Sequence, residues 1–350
     1  MDEEAGVSVG GALGRGPEGS SHLADYADPR TAERAPVLIV HRALGPRRRL
    51  ACVLATLRRP LIPVETIAEA RDQLAVGPAL AFVEHSLCLD PAGQAFVAAC
   101  TARGCASIVL VGADAPLIDV GVLLQSAAFG HLVVEDGLPA LAETVLVTAL
   151  KLLRQDLFGI EKYLAWGVEP VRFVLERASA RRGLVAHLHD DLLAQGWGRR
   201  VASRAAHAAD ELLSNAVFNA PVDAQGRRLR AELSRTEDWP LTGRDRVALS
   251  YACDGRFVAL AVEDGYGSLD PHLGMAGLAQ RCAGHLQTRD GTGGAGIGLA
   301  LACRHVDQLV FNIAPDTRTE VIGLIDVRKM PGRTSAEVPS VNFFVFRSGV

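Results

Sequence analysis

Lysine is almost missing from this chain. Lys151, Lys162 and Lys329 are its only lysines in 350 residues, and arginine carries the rest of the positive charge. Acidic side chains slightly outnumber basic ones, for a formal net charge of −4. A nucleic-acid partner needs a basic excess, so that class is set aside. The seven cysteines form no Cys-x-x-Cys pair, and no paired histidines accompany them. Their scatter and odd number speak against a disulfide framework or a zinc motif, and for reduced thiols in a reducing compartment. No apolar run reaches about 18 residues, so no membrane span is expected. The opening stretch, MDEEAGVSVGGALGRG, lacks the basic region and apolar core of a signal peptide. The expected location is the cytoplasm.

What is present is a globular composition, 49% hydrophobic and 22% charged, long enough for about two domains. Residues 1–35 are rich in Gly, Ser, Ala and charge and are expected to be a disordered tail. From residue 36 to 155, apolar runs such as Val37–Val40, Ala79–Val83, Ile108–Val111 and His131–Val134 alternate with helical stretches. That alternation predicts an α/β domain with a doubly wound parallel sheet. Residues 156–168, including Asp156–Trp166, are expected to be a helical connector. From 169 to 350 the pattern predicts helices at Val171–Ala180, Leu184–Gln195 and Arg200–Ala220. Strands follow at Val247–Ala252, Phe257–Asp264, Leu309–Ile313, Thr319–Asp326 and Val341–Phe346. Helices on one side of a mostly antiparallel sheet make a two-layer α/β sandwich.

Three segments of this second half carry chemistry. In Asp210–Ala220 (DELLSNAVFNA), Glu211, Asn215 and Asn219 recur every four residues and share one helix face. Two asparagines in mid-helix cost propensity, which suggests a ligand. Amide oxygens suit Mg²⁺, and a carboxylate one turn away can act as a base. In Val262–Leu269 (VEDGYGSL), an acid closes an apolar strand. Period two puts Asp264 on the face of Val258, Leu260 and Val262, where a carboxylate needs a partner such as an adenine amine. In Gly291–Leu299 (GTGGAGIGL), glycines run into a helix, which suits close approach to phosphates.

The order of these segments resembles the N-box, G1 box and G2 box of the GHKL superfamily, whose fold is the Bergerat-type sandwich. The resemblance covers about half the chain. It implies ATP and Mg²⁺ as ligands. By it, Asn215 is the Mg²⁺ ligand, Glu211 the catalytic base, and Asn219 a further nucleotide contact. Asp264 reads adenine beside Gly265 and Gly267. Gly293, Gly294, Gly296 and Gly298 line the phosphates, Thr319 lies near the adenine, and residues 268–292 form a lid. The family pattern Asp-x-Gly-x-Gly is one register off here. Glu263 would restore the spacing, but from the opposite strand face, so Asp264 is preferred. Asn219 stands where many relatives carry His or Lys.

The stretch Arg181–Gln195 (RRGLVAHLHDDLLAQ) resembles a histidine-kinase phosphoacceptor box centred on His189. About 26 residues separate His189 from Asn215, too few for a four-helix dimerisation bundle. The layout is therefore closer to compact anti-sigma serine/threonine kinases.

Residues 36–155 resemble a response-regulator receiver with its chemistry replaced. Strand one ends in His41-Arg42 instead of an acidic pair, and Glu84 stands at the acceptor position. The lysine expected after strand five is absent, Lys151 being the nearest. This implies a pseudo-receiver serving interaction or dimerisation, with Glu84 either a phospho-aspartate mimic or a surface carboxylate. Arg47–Arg49 read as a solvated helix face. The expectation is a bacterial two-component-like signalling protein acting on a partner similar to an anti-anti-sigma factor or a response regulator. A non-catalytic nucleotide sensor, a histidine kinase using His189, and a homodimer stay open.

Overall fold

The computed structural model describes residues 35–126, 129–135, 138–282, 295–328 and 339–346. The tail expected at 1–35 lies outside the described residues except for its last position. In the first half, Val37–Val40 (β1), Leu61–Val64 (β2), Leu80–Glu84 (β3), Ala106–Gly112 (β4) and His131–Glu135 (β5) pair in parallel. Between and after them run Leu44–Leu54 (α1), Ile67–Gln73 (α2), His85–Cys88 (α3), Pro91–Ala102 (α4), Leu117–Gln125 (α5) and Leu138–Arg154 (α6). Thr66 and Asp90 cap α2 and α4, each accepting from a backbone N–H three residues on. Strand alternation sends Val37, Ile39 and Phe82 toward Leu50, Leu54 and Val145 of α1 and α6. It sends Leu38, Val40 and Val83 toward Ala70, Phe96 and Leu123 of α2, α4 and α5. Both faces of the parallel sheet are thus covered by helices.

The second half contains Val171–Leu175 (β6), Ala180–Ala194 (α7), Arg199–Ser214 (α8), Val247–Cys253 (β7), Phe257–Asp264 (β8), Pro271–Cys282 (α9) and Ala295–Ala302 (α10). It closes with Gln308–Ala314 (β9), Arg318–Asp326 (β10) and Ser340–Val345 (β11). All strands among the described residues join one 11-stranded sheet in the order β2-β1-β3-β4-β5-β11-β9-β10-β8-β7-β6. The protein is a mixed α/β molecule with a parallel and an antiparallel portion. The last strand closes the sheet in the middle, parallel to β9 and antiparallel to β5. Its seam with β5 has two residue pairs, Val341 with Leu132 and Asn342 with His131. Side chains reinforce it: His131 Nδ1 lies 3.3 Å from Asn342 Oδ1, and the Ser340 hydroxyl accepts from the Val134 N–H at 2.9 Å.

Two expected elements differ. Val171–Ala180 is a strand over Val171–Leu175, because Val171, Phe173 and Val174 suit a half-exposed edge beside β7. Asp156–Trp166 is not a helix beyond a single 3-10 turn at Ile160–Tyr163. Leu157 and Ile160 instead bury against Ala259, Val310 and Ile322 on the sheet face opposite α7 and α8. A helix not foreseen, α9, packs on α5 and occupies part of the expected lid.

Behind the segment Asp156–Trp166 lies a buried polar network. Lys151 Nζ donates to Tyr163 Oη at 2.9 Å and to Asn312 Oδ1 at 2.7 Å. Asn312 Nδ2 donates to Glu320 at 2.7 Å, and the Gly159 N–H donates to the same carboxylate at 3.0 Å. Burial, opposed chiefly by Glu320, brings Lys151 down to about 7. No helix among the described residues is long and apolar enough to cross a membrane.

Candidate functional site

α8 forms because Ala202, Ala205, Ala208, Ala209, Leu212 and Leu213 make one buried stripe at helical spacing. Its continuation, Asn215–Asn219, is a π-helical turn closed by the Ala220 N–H on Asn215 O at 2.9 Å. Such turns recur at functional sites. The wide turn brings the two amides together, with Asn219 Nδ2 donating to Asn215 Oδ1 at 2.8 Å. Asn215 Nδ2 and Asn219 Oδ1 are buried and meet no hydrogen-bond partner among the described residues. Each such group costs about 1–3 kcal/mol, so this donor and acceptor are unexplained by the fold alone. Glu211, half-buried one turn before, is raised above its usual range by burial and by Asp210, against Arg181, Arg235 and His207.

β8 presents Val258, Leu260 and Val262 to the helices, and Asp264 follows on that face. Glu263 turns the other way and pairs with Arg172 at 3.3 Å. Asp264 is 8% exposed and lies opposite Thr319, itself buried, in the register of β8 and β10. Burial raises Asp264 to about 6, against the Tyr266 and Gly267 amides and the Thr319 hydroxyl. A carboxyl raised from 3.8 is protonated more readily folded than unfolded. Its contribution therefore falls as pH rises through 3.8 to 6, a loss of roughly 3 kcal/mol at neutral pH. A position held at that cost fits a group that serves a ligand.

After Asp264 the chain turns through Gly265–Gly267, and the protein's own backbone fills the open side of both glycines. A Cβ on Gly265 would lie 2.6 Å from Arg244 O, and one on Gly267 would lie 2.0 Å from Ala314 O. Gly267 also has φ +61, which side-chain-bearing residues avoid. Arg244 holds the turn by donating to Gly265 O, Tyr266 O and Asp316 O at 2.8, 3.1 and 2.8 Å. Ser268 Oγ donates to Ala220 O at 2.6 Å, tying this loop to the end of the π turn. Gly267→Ala should therefore destabilise the protein by about 2–4 kcal/mol in urea unfolding. A loss below about 1 kcal/mol would show that the hairpin at 314–317 yields.

The third segment meets the first. A Cβ on Gly298 of α10 would lie 3.0 Å from both Glu211 Oε2 and Asn215 Nδ2. Gly296 is in the first turn of α10, while Gly293 and Gly294 lie outside the described residues. Glu211, Asn215, Asn219 and Gly298 thus share one corner. The π turn also packs on β8, which carries Asp264 opposite Thr319. His189 sits half-exposed on α7, its Nδ1 3.1 Å from Asp190 Oδ1. The arginines around Glu211 are not singled out by any spacing in the sequence. Arg181, almost fully buried, is ion-paired with Asp210. Arg235 comes from the 221–246 segment, whose only signal was a crowd of arginines without periodicity.

In the parallel half, the Glu84 carboxylate is 3.2 Å from His41 Nδ1, accepts from the Arg42 N–H at 2.8 Å and accepts from Ser86 Oγ at 2.5 Å. Burial alone would raise Glu84, but Ser86, the Arg42 amide and the His41 and Arg42 charges bring it below its usual range. It is a tied, half-buried group and not a free surface carboxylate. Arg47 likewise is partly engaged, donating to His41 O at 2.6 Å. Among the described residues, no group of three or more His, Cys, Asp or Glu side chains could hold a metal ion.

No family model matches this chain. No curated protein matches it either. Among solved structures, a fusion carrying a yeast Spc42 trimeric coiled coil is similar over 35% of this chain and 80% of its own. The identity is 17% and the TM-score 0.29, a likeness that carries no argument.

Proposed function

We propose that residues 169–350 form a GHKL-type ATP-binding unit in a signalling protein that transfers phosphate to a serine or threonine of a protein partner. The observation that carries this reading is the convergence of Glu211, the unpartnered Asn215 Nδ2 and Asn219 Oδ1, and Gly298 on one corner of the π turn. Asp264, buried and held at a cost, fits an adenine amine, with Thr319 beside it. The donor set suits Mg²⁺ bound together with phosphates, because an amide oxygen and a carboxylate meet beside Gly298 of α10. Bound Mg-ATP supplies the phosphoryl group and the positive charge that offsets its oxygens. Asn215 and Asn219 orient it, and Glu211 takes the proton from the attacking hydroxyl. The parallel half, with His41 paired to Glu84, serves as an interaction module in place of a working receiver.

A second reading has its own support. Asn215 Oδ1, the atom a cation needs, already accepts from Asn219. In that reading the nucleotide is a sensed ligand without turnover.

Calorimetric titration of Mg-ATP and Mg-ADP into the full chain, wild type and Asp264→Asn, tests the nucleotide site. The full chain is used because β5 and β11 share the seam. Losing one charge-assisted hydrogen bond should weaken binding about 10–100-fold. Folded wild type that binds nothing up to millimolar nucleotide would remove the nucleotide site from both readings.

A further inference from the structure

Arginines crowd the segment between the π turn and β7, and most are balanced where they sit. Arg227 pairs with Asp223 at 2.8 Å and Arg230 with Asp245 at 2.6 Å. Arg244 spends its donors on three carbonyl oxygens. Arg228 and Arg246 are exposed, where water satisfies them. Arg235 is different. It is half-buried and its Nη1 is buried without an acceptor, as is Nη1 of Arg230, but unlike Arg230 it has no carboxylate among the described residues at ion-pair distance. Its guanidinium lies 4.1 Å over the ring of Phe218, inside the π turn that carries Asn215 and Asn219. Its charge bears on Glu211 and is repelled by Arg181, which Asp210 already holds.

A buried cationic N–H without an acceptor is costly, and a like charge nearby adds to the cost. An anion at this position relieves both. Within the site, Glu211 marks the end where a phosphoryl group would be transferred, and Asp264 marks the adenine end. Arg235 stands at the Glu211 end. A guanidinium there suits phosphate oxygens by charge and by its forked donors.

We infer that Arg235 recognises the terminal phosphate of a nucleoside triphosphate and makes this site prefer the triphosphate over the diphosphate. The inference rests on the nucleotide reading above. It makes Arg235 a specificity residue delivered by the 221–246 segment, and gives that segment a task besides packing Trp239 on Phe218.

The test is the ratio of Mg-ATP to Mg-ADP affinity, by calorimetry, in the full-length wild type, Arg235→Gln and Arg235→Lys. The expected result is that Arg235→Gln weakens ATP about 10–100-fold and ADP less than about 3-fold. Arg235→Lys, which keeps the charge but not the fork, should recover part of the ratio. An unchanged ratio in the variants overturns the inference and leaves the nucleotide site standing, because the wild type still binds. Equal weakening of both nucleotides also overturns it, since a merely structural role acts that way. Should Arg235→Gln not fold, the Arg235→Lys ratio alone decides, an unaltered value counting against the inference. Wild type that binds neither nucleotide overturns this inference together with the site.

Discussion

Glu211→Gln is expected to bind Mg-ATP like the wild type and to transfer its phosphoryl group about 10²–10⁴-fold more slowly. The substitution keeps the volume and one acceptor oxygen but removes the proton acceptor. Glu211 Oε2 is close to where a Cβ on Gly298 would stand, so it borders the glycine-bearing helix that the nucleotide reading assigns to phosphates. Burial and Asp210 raise its carboxyl above the ordinary 4.5. The wild-type rate should therefore fall as pH drops, with an inflection above 4.5, and the variant should lose that inflection. Single-turnover transfer from labelled ATP reads both quantities. Transfer by the variant at the wild-type rate would remove Glu211 from the chemistry. Tight binding without transfer in both proteins would favour the sensor.

Lys151→Met should lower stability by about 2–4 kcal/mol at pH 8, because Tyr163 Oη loses its donor partner and Asn312 Oδ1 is left buried without one. The loss should grow with pH. In the folded protein Lys151 titrates near 7, and unfolded it returns to about 10.5. Between those values the unfolded chain binds the extra proton, so stability rises with pH, by up to about 1.4 kcal/mol per unit. Glu320, Asp156 and Glu161 favour the charged lysine and Lys162 disfavours it, yet burial outweighs them. Cys88 and Cys253 are raised by burial to about 12 and 11, and they titrate in the same alkaline range with the opposite sign. The difference between wild type and Lys151→Met cancels them. Urea unfolding at pH 7, 8 and 9 checks the slope, and a difference independent of pH would mean that Lys151 keeps its charge when folded.

How far the sequence could be read depended on how local each feature is. β8 spans Phe257–Asp264 as expected, because six consecutive apolar residues closed by two acids leave little choice. Strand alternation separates Asp264 from Glu263, and the structure puts them on opposite faces. The Glu211, Asn215 and Asn219 stripe was visible as i, i+4 spacing, but the π turn that joins the two amides has no sequence signature. In sequence β6 reads as the start of a helix, because five residues of an edge strand carry too short a pattern to oppose the helical stretch after them. Arg235 and Lys151 were opaque for another reason. Their partners, Phe218 and Asn312, are set by packing between segments distant in sequence. The seam between β5 and β11 is the extreme case, joining residues more than 200 positions apart.

That seam has a consequence for the order of synthesis. A ribosome delivers β1 to β5 about 200 residues before β11, so the nascent parallel portion waits with β5 as a raw sheet edge. Open edges of this kind invite pairing with the wrong chain. The final strand works like a keystone, and chains stalled before residue 340 should depend on chaperones or be cleared.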